Sequence, residues 1–447
     1  MDGETLPKDA RGHPTSGANH AALDHLERAT WRLVSYYGDA FADIDQALAE
    51  APGCVMAHVA RANLCLTISE RRFMPDAERS LAAARTHLRG ATGREAMHVE
   101  ASSLAAAGRW EEAGVAWDGL LRDHPRDLLA LTAAHLFDFY RGDAAQLRAR
   151  VARVLPEWSA DLPLHSYVLG MHAFGLEECN LYPQAEEAGR RALDANAQDP
   201  WAVHAVAHVM EMGGRIDDGI EWLDARSDTW SPDNGFAFHN WWHLALFHLE
   251  LGDVARVLAI YDRRVQGGEM ALQWLDATAL LWRLRLGGHD VGARWEPLAA
   301  LWRNTLEAEA GHYAFNDWHA ALALHAVGDA AGLDVLRAAT RRAAESGAPT
   351  QRLMTGQVGA PLLAALDDFE AGRWREAADA FAALRRAAMR FGGSHAQRDL
   401  IDQTALCAAL RGGHASLARA LANERILAKP HSPLARRYVE QARATLR

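Results

Sequence analysis

A chain of 447 residues that is 49% apolar and 23% charged has the composition of an ordinary globular protein, and no apolar run approaches the roughly 18–20 residues of a membrane span. With 47 Lys and Arg against 58 Asp and Glu, its net charge of −11 disfavours the broad positive field by which nucleic-acid and anionic-membrane binders gain affinity. Cys54, Cys65, Cys179 and Cys407 are scattered without CxxC spacing, which fits buried, reduced thiols in a cytoplasm better than a disulfide framework or a zinc ribbon.

The opening MDGETLPKDARGHPTSG lacks the positive region and apolar core of a secretory signal, so residues 1–17 are expected to be a flexible polar lead-in and 18–447 a single helical-repeat domain. Helical periodicity then places first helices near 20–37, 54–70, 93–107, 126–141, 163–179, 199–213, 235–251, 270–287, 313–327, 351–371 and 394–411. Second helices are clear at 75–90, 109–123, 182–195, 215–227, 253–266, 291–308, 329–345, 373–390 and 415–427, with a capping helix at 432–446. DHPRD at 123–127, AQDP at 197–200, SPDNG at 231–235 and KPHSP at 429–433 supply turn and cap chemistry at the joints. The Arg-rich stretches at 147–154 and 385–390 are expected to form solvated outer faces of second helices.

Between the helices of successive pairs stands a residue tolerant of positive φ: Gly108, Gly142, Asn180, Gly214, Gly252, Gly288, Gly328, Gly372 and Gly412. Small residues recur seven positions earlier (Ala101, Ala173, Ala207, Ala245, Ala321, Ala365, Ala405), and small or aliphatic ones five later (Ala113, Ala185, Gly219, Val257, Ala293, Ala377), allowing paired helices to approach closely. A spacing near 34 residues in the first half matches tetratricopeptide repeats, and spacings near 40 later imply longer helices and loops. The expected fold is all-α, a right-handed α/α superhelix of about eleven tetratricopeptide-like hairpins with first helices on the concave side.

Histidine is concentrated in the same region: 11 of 22 lie between His165 and His325, including the i, i+4 pairs His204/His208 and His239/His243, whose rings share a helix face. Measured round from the small residue that marks each helix–helix contact, His204, His208, Glu211, His239, Trp242, His243, Glu250, His319 and His395 share one arc, with Asp399 and Asp402 inside it and Asp276 just beyond. His165, His172 and Asp317 fall off it and are read as packing or capping residues. A common groove of imidazoles and carboxylates suits proton transfer, because the ordinary histidine pKa lies close to working pH. Two HxxxH pairs beside Glu211 and Glu250 also offer ligands for zinc, iron or manganese, but neither has the HExxH form, so a divalent metal is the weaker reading and no metal-binding residue is assigned.

At HAVAHVMEMGGR (204–215), FHNWWHLALFHLELGD (238–253), WLDATALLWRL (274–284) and GGSHAQRDLIDQT (392–404) the chain resembles the tetratricopeptide repeat protein 38 family, nearly end to end. The resemblance implies an all-α tetratricopeptide-like superhelix in the cytoplasm. It leaves the matching residues His204, His208, Glu211, His239, Trp242, His243, Asp276, His395, Arg398 and Asp399 without assigned roles.

These features lead to a small-molecule site in the concave groove. His239 and His243 are the acid/base candidates, Asp276 or Glu211 orients an imidazole, and Arg398 grips a carboxylate or phosphate. His204, His208, Trp242, His319, His395 and Asp399 complete the ligand-binding set. The alternative is a scaffold that captures a peptide or protein without catalysis; neither reading involves nucleic acid or a membrane.

Overall fold

The computed structural model describes residues 6–444, and among them no β-strand forms; the extended segments contribute only isolated bridges, Lys8 with Pro14 and Tyr37 with Asn234. Helices His20–Ser35, Val55–Thr67, Gly93–Ala106, Leu128–Tyr140, His165–Glu178, Pro200–Met212, Ala237–Leu251, Ala271–Leu286, Ala314–Ala326 and His395–Arg411 occupy the expected first-helix positions. The segment expected as one helix at 351–371 is Pro349–Met354 and Ala360–Glu370 joined by a π-helical turn at Thr355–Gly359. Pro361 has no N–H for the helical ladder, and the wider turn just before it accommodates that gap. Helices at Ala40–Glu50 and Ala144–Val154 complete hairpins whose second members the periodicity does not resolve.

The turn chemistry is as expected in detail. Eight of the nine marker residues have positive φ, from 60° at Asn180 to 81° at Gly252. The exception is Gly412, at φ −80°, where the left-handed position falls one residue later, on Gly413 at φ 62°. All seven alanines that precede the turns are buried, as are the small and aliphatic residues that follow, except Ala293. Asp127, Asp199 and Ser432, drawn from three of the joint motifs, cap helices by accepting backbone N–H groups of Ala130, Trp201 with Ala202, and Ala435. The architecture is therefore all-α and built from helical hairpins. No helix among the described residues is long and apolar enough to cross a membrane.

The chain divides into two compact units, one of residues up to Ala205 with Pro232–Gly235, the other of Val206–Ser231 with Phe236 onward. In the first, the stretch expected as a flexible lead-in is tied down over its described part, residues 6–17. Arg11 pairs bidentately with Glu27 at 3.0 and 2.7 Å, and Ser16 donates from its backbone N–H and its hydroxyl to Glu95 at 2.9 and 2.8 Å. Residues 1–5 lie outside the described residues. Pro232–Gly235 joins this unit because Gly235 donates to the Tyr36 carbonyl and Asn234 to that of Ser35.

Arg153, Arg386 and Arg390 are exposed, as a solvated face requires, but Arg150 and Arg385 depart from it. Arg150 is buried, held by both oxygens of Asp138 at 2.8 and 3.1 Å and paired with Asp118, because a fully desolvated guanidinium must be matched by carboxylates. Arg385 is partly buried between Asp402 at 2.6 Å and Glu424 at 2.8 Å.

Candidate functional site

Within the second unit, Ala237–Leu251 supplies the central residues. The helix ends at Gly252 in the left-handed region, and its sequence is apolar on nearly every side, so its polar residues are drawn inside with the rest. His239 and His243, one turn apart, meet edge to face with ring centroids 4.8 Å apart. The ring of His208 lies 4.4 Å from that of His243, and His239 stacks on Trp242 at 5.3 Å with the planes 13° apart. His208, His243 and Trp242 are wholly buried and His239 nearly so. The geometry therefore differs from an open, solvated groove: these imidazoles sit in a packed interior.

Two of the rings are oriented by carboxylates. His239 Nδ1 lies 2.6 Å from Asp276 Oδ2, and His243 Nδ1 lies 3.1 Å from Glu211 Oε2. An ionised carboxylate only accepts, so each shared proton belongs to Nδ1, which in a neutral imidazole puts the lone pair on Nε2. Further contacts fix the carboxylates in turn: Gln397 Nε2 donates to Asp276 Oδ1 at 3.2 Å and Lys429 Nζ to Glu211 Oε1 at 3.3 Å. Burial holds the His243 pKa well below the usual histidine value, and the neighbouring rings of His208 and His239, then Arg283 and Lys429, act in the same direction. His243 is thus neutral at physiological pH, a proton acceptor rather than a donor. Burial works against the Lys429 ammonium, but Glu211 and Asp399 outweigh it and raise its pKa.

Arg283 is a component the sequence pattern does not single out. It is buried with its guanidinium 5.3 Å from the Trp242 ring, and it donates to the carbonyls of Ala279 at 3.1 Å and Ala396 at 2.6 Å. The available signal is the single cation inside the helix segment WLDATALLWRL, whose only other charge is Asp276.

The remaining candidates separate by location. His395, Arg398 and Asp399 line a cavity of about 440 Å³, walled also by Arg385, Arg425 and Lys429. Arg425 Nη2 donates to Asp399 Oδ2 at 2.9 Å, and Gln403 donates to the same oxygen at 2.7 Å. Burial alone would raise the Asp399 pKa, but Arg425 and Lys429 hold it far below the carboxylate range. Arg398 bonds the Gly393 carbonyl and approaches His395 Nδ1 at 3.4 Å. Asp402 is on the same wall, paired with Arg385.

His319 is buried on another helix, where its Nδ1 donates to the Phe315 carbonyl at 2.8 Å and its ring packs on Phe315, while burial lowers its pKa to about 4. Glu250 accepts from the Ser432 hydroxyl at 2.6 Å and the Leu434 N–H at 3.2 Å, which makes it an anchor for the 430s segment. His204 belongs to the first unit, packed against Phe174 and Trp201 with ring centroids 5.3 Å from each. Asp317 accepts the Gly311 N–H at 3.0 Å, the capping role expected of it.

No protein-family model matches the chain. Among solved structures it is similar to a tetratricopeptide repeat protein from Parabacteroides merdae, with 16% identity, TM-score 0.41, and 56% of this chain and 93% of that one covered. It is also similar to the human IFIT1 dimer with m7Gppp-AAAA, with 13% identity, TM-score 0.39 and 95% of each chain covered. Both are helical-repeat proteins, and similarity at this level carries no argument about ligands.

Proposed function

We propose that the chain is a small-molecule-binding helical-repeat protein of the tetratricopeptide repeat protein 38 family, and that its ligand is an anion held in the Arg398 cavity. The observation that carries this is the cavity wall itself. Its volume of about 440 Å³ is that of a small-molecule site, and Arg398 and His395 stand on it beside Arg385, Arg425 and Lys429, with Asp399, Asp402 and Glu424 on the same wall pairing Arg385 and Arg425. The planar guanidinium fork of Arg398 suits a carboxylate or phosphate taken bidentately. The cavity is wired to the histidine–carboxylate pairs through Lys429, which lines it and also holds Glu211, and through the helix that carries both Arg398 and the Asp276 partner Gln397. Where the protein runs a reaction, His239–Asp276 and His243–Glu211 are the proposed acid/base pairs.

The test is calorimetric titration of the full chain with inorganic phosphate and a series of short dicarboxylates. Wild type is expected to bind at least one of them, and Arg398→Ala to bind it at least tenfold more weakly with unchanged circular dichroism. Binding that is indifferent to Arg398, or capture of peptides with no response to any small anion, would replace this reading with the scaffold alternative.

A further inference from the structure

We propose that His208, His239 and His243 form a binding site for one divalent transition-metal ion of the zinc class. One ring nitrogen from each of the three lies within 4.8 Å of those of the others, and all three residues are buried. Tetrahedral ligation with metal–nitrogen bonds of about 2.0–2.1 Å places nitrogens about 3.4 Å apart, a contraction that small ring rotations supply.

The second layer of contacts is the stronger argument. Metal-bound histidines donate their other N–H to a carboxylate or carbonyl, which fixes the tautomer and raises ligand basicity. Two of these three do so, His239 to Asp276 and His243 to Glu211, with Gln397 and Lys429 holding the carboxylates from behind. That arrangement directs Nε2 of both rings away from the carboxylates, as the ligating atom. A packing histidine needs only one polar contact; two carboxylate-bound imidazoles meeting a third ring go beyond that requirement.

Donor chemistry decides which ion: the cluster offers imidazole nitrogens, and binding rests on their dative bonds. Such a site selects zinc, cobalt or ferrous iron and discriminates against magnesium and calcium, which need several oxygen ligands.

The inference replaces the acid/base role proposed for the two dyads with a ligand role, leaves the anion cavity as proposed, and is tested apart from it. The full chain is stripped with a chelator and titrated with Co2+, then with Zn2+. Wild type is expected to bind one Co2+ with the intense visible absorption of tetrahedral coordination, to exchange it for Zn2+, and to ignore Mg2+ at the same concentration. His243→Ala should lose the band. Asp276→Asn preserves shape and should weaken Co2+ binding about 10–100-fold while the circular dichroism stays unchanged. If His243→Ala does not fold, the wild-type titration and Asp276→Asn decide the matter.

Wild type that binds neither Co2+ nor Zn2+ below millimolar concentration overturns the inference, as does affinity that is the same in folded Asp276→Asn. Phosphate and dicarboxylate titrations of the stripped chain report on the Arg398 cavity separately, so either reading can fail alone.

Discussion

Asp199 shows what burial does to a single carboxyl. Its Oδ1 accepts the N–H groups of Trp201 and Ala202, both at 3.0 Å, yet burial prevails over these bonds and raises its pKa from the ordinary 3.8 to about 7. The folded chain therefore holds this proton to near neutrality while the unfolded chain releases it near 3.8, so folding takes up a proton in that window. Stability is fully present below 3.8 and is lost as pH rises toward 7, by up to about 4 kcal/mol from this group. Asp199→Asn keeps the capping oxygen and removes the charge. Its melting temperature should change much less than that of wild type between about pH 4 and about pH 8, and parallel curves would refute the assignment. Nothing in AQDP distinguishes this aspartate from an exposed cap, because burial belongs to the tertiary structure. Arg150 and Arg283 were hidden for the same reason: a charge in a helical pattern reads as surface until the partners that neutralise or bond it, Asp138 for the one and the Ala396 carbonyl for the other, are brought from elsewhere in the chain.

At the scale of helices, glycines serve two ends that the sequence presents unequally. Gly328 has φ 69° and open space around the position of a Cβ, so Gly328→Ala meets only the backbone penalty, about 1 kcal/mol. Gly175 lies inside His165–Glu178, and an added Cβ would stand 2.7 Å from both the Cα of Arg148 and the carbonyl oxygen of Leu147. Backbone cannot give way as a side-chain tip does, so Gly175→Ala should cost about 3 kcal/mol or more. Equilibrium denaturation of the two variants checks the order, and a reversed ranking would mean that this helix crossing is looser than it looks. Turn glycines are legible because their demand is local, a positive φ between two periodic segments. A crossing glycine answers to a helix that arrives from another part of the chain. The shared arc was legible for a related reason: helical geometry alone aligns His239 with His243, whereas whether that face meets solvent or packed protein depends on its neighbours.

For the whole chain, repeat grammar runs unchanged through residue 206 and carries no mark of the division into two compact units, since each turn is specified within its own hairpin. The units nonetheless carry different reporters. Tryptophans stand in both, Trp31, Trp110, Trp117, Trp158 and Trp201 in the first, so each unit is followed at its own amides; Asp199 belongs to the first and the Arg398 cavity to the second. A ligand that binds only folded protein stabilises what it binds by about 2.7 kcal/mol at a hundred times its dissociation constant. Saturating phosphate, dicarboxylate or Co2+ should therefore raise the midpoint of a second-unit signal, read by hydrogen exchange at the amides of Ala237–Leu251 and His395–Arg411. Asp199→Asn near pH 8 should instead raise the midpoint of a first-unit signal, read by hydrogen exchange at the amides of Leu128–Tyr140 and His165–Glu178. If each perturbation moves only its own reporter, the compact units are also units of cooperativity. If either moves both reporters equally, the hairpins transmit stability through the length of the chain, and the division is one of contacts and not of folding.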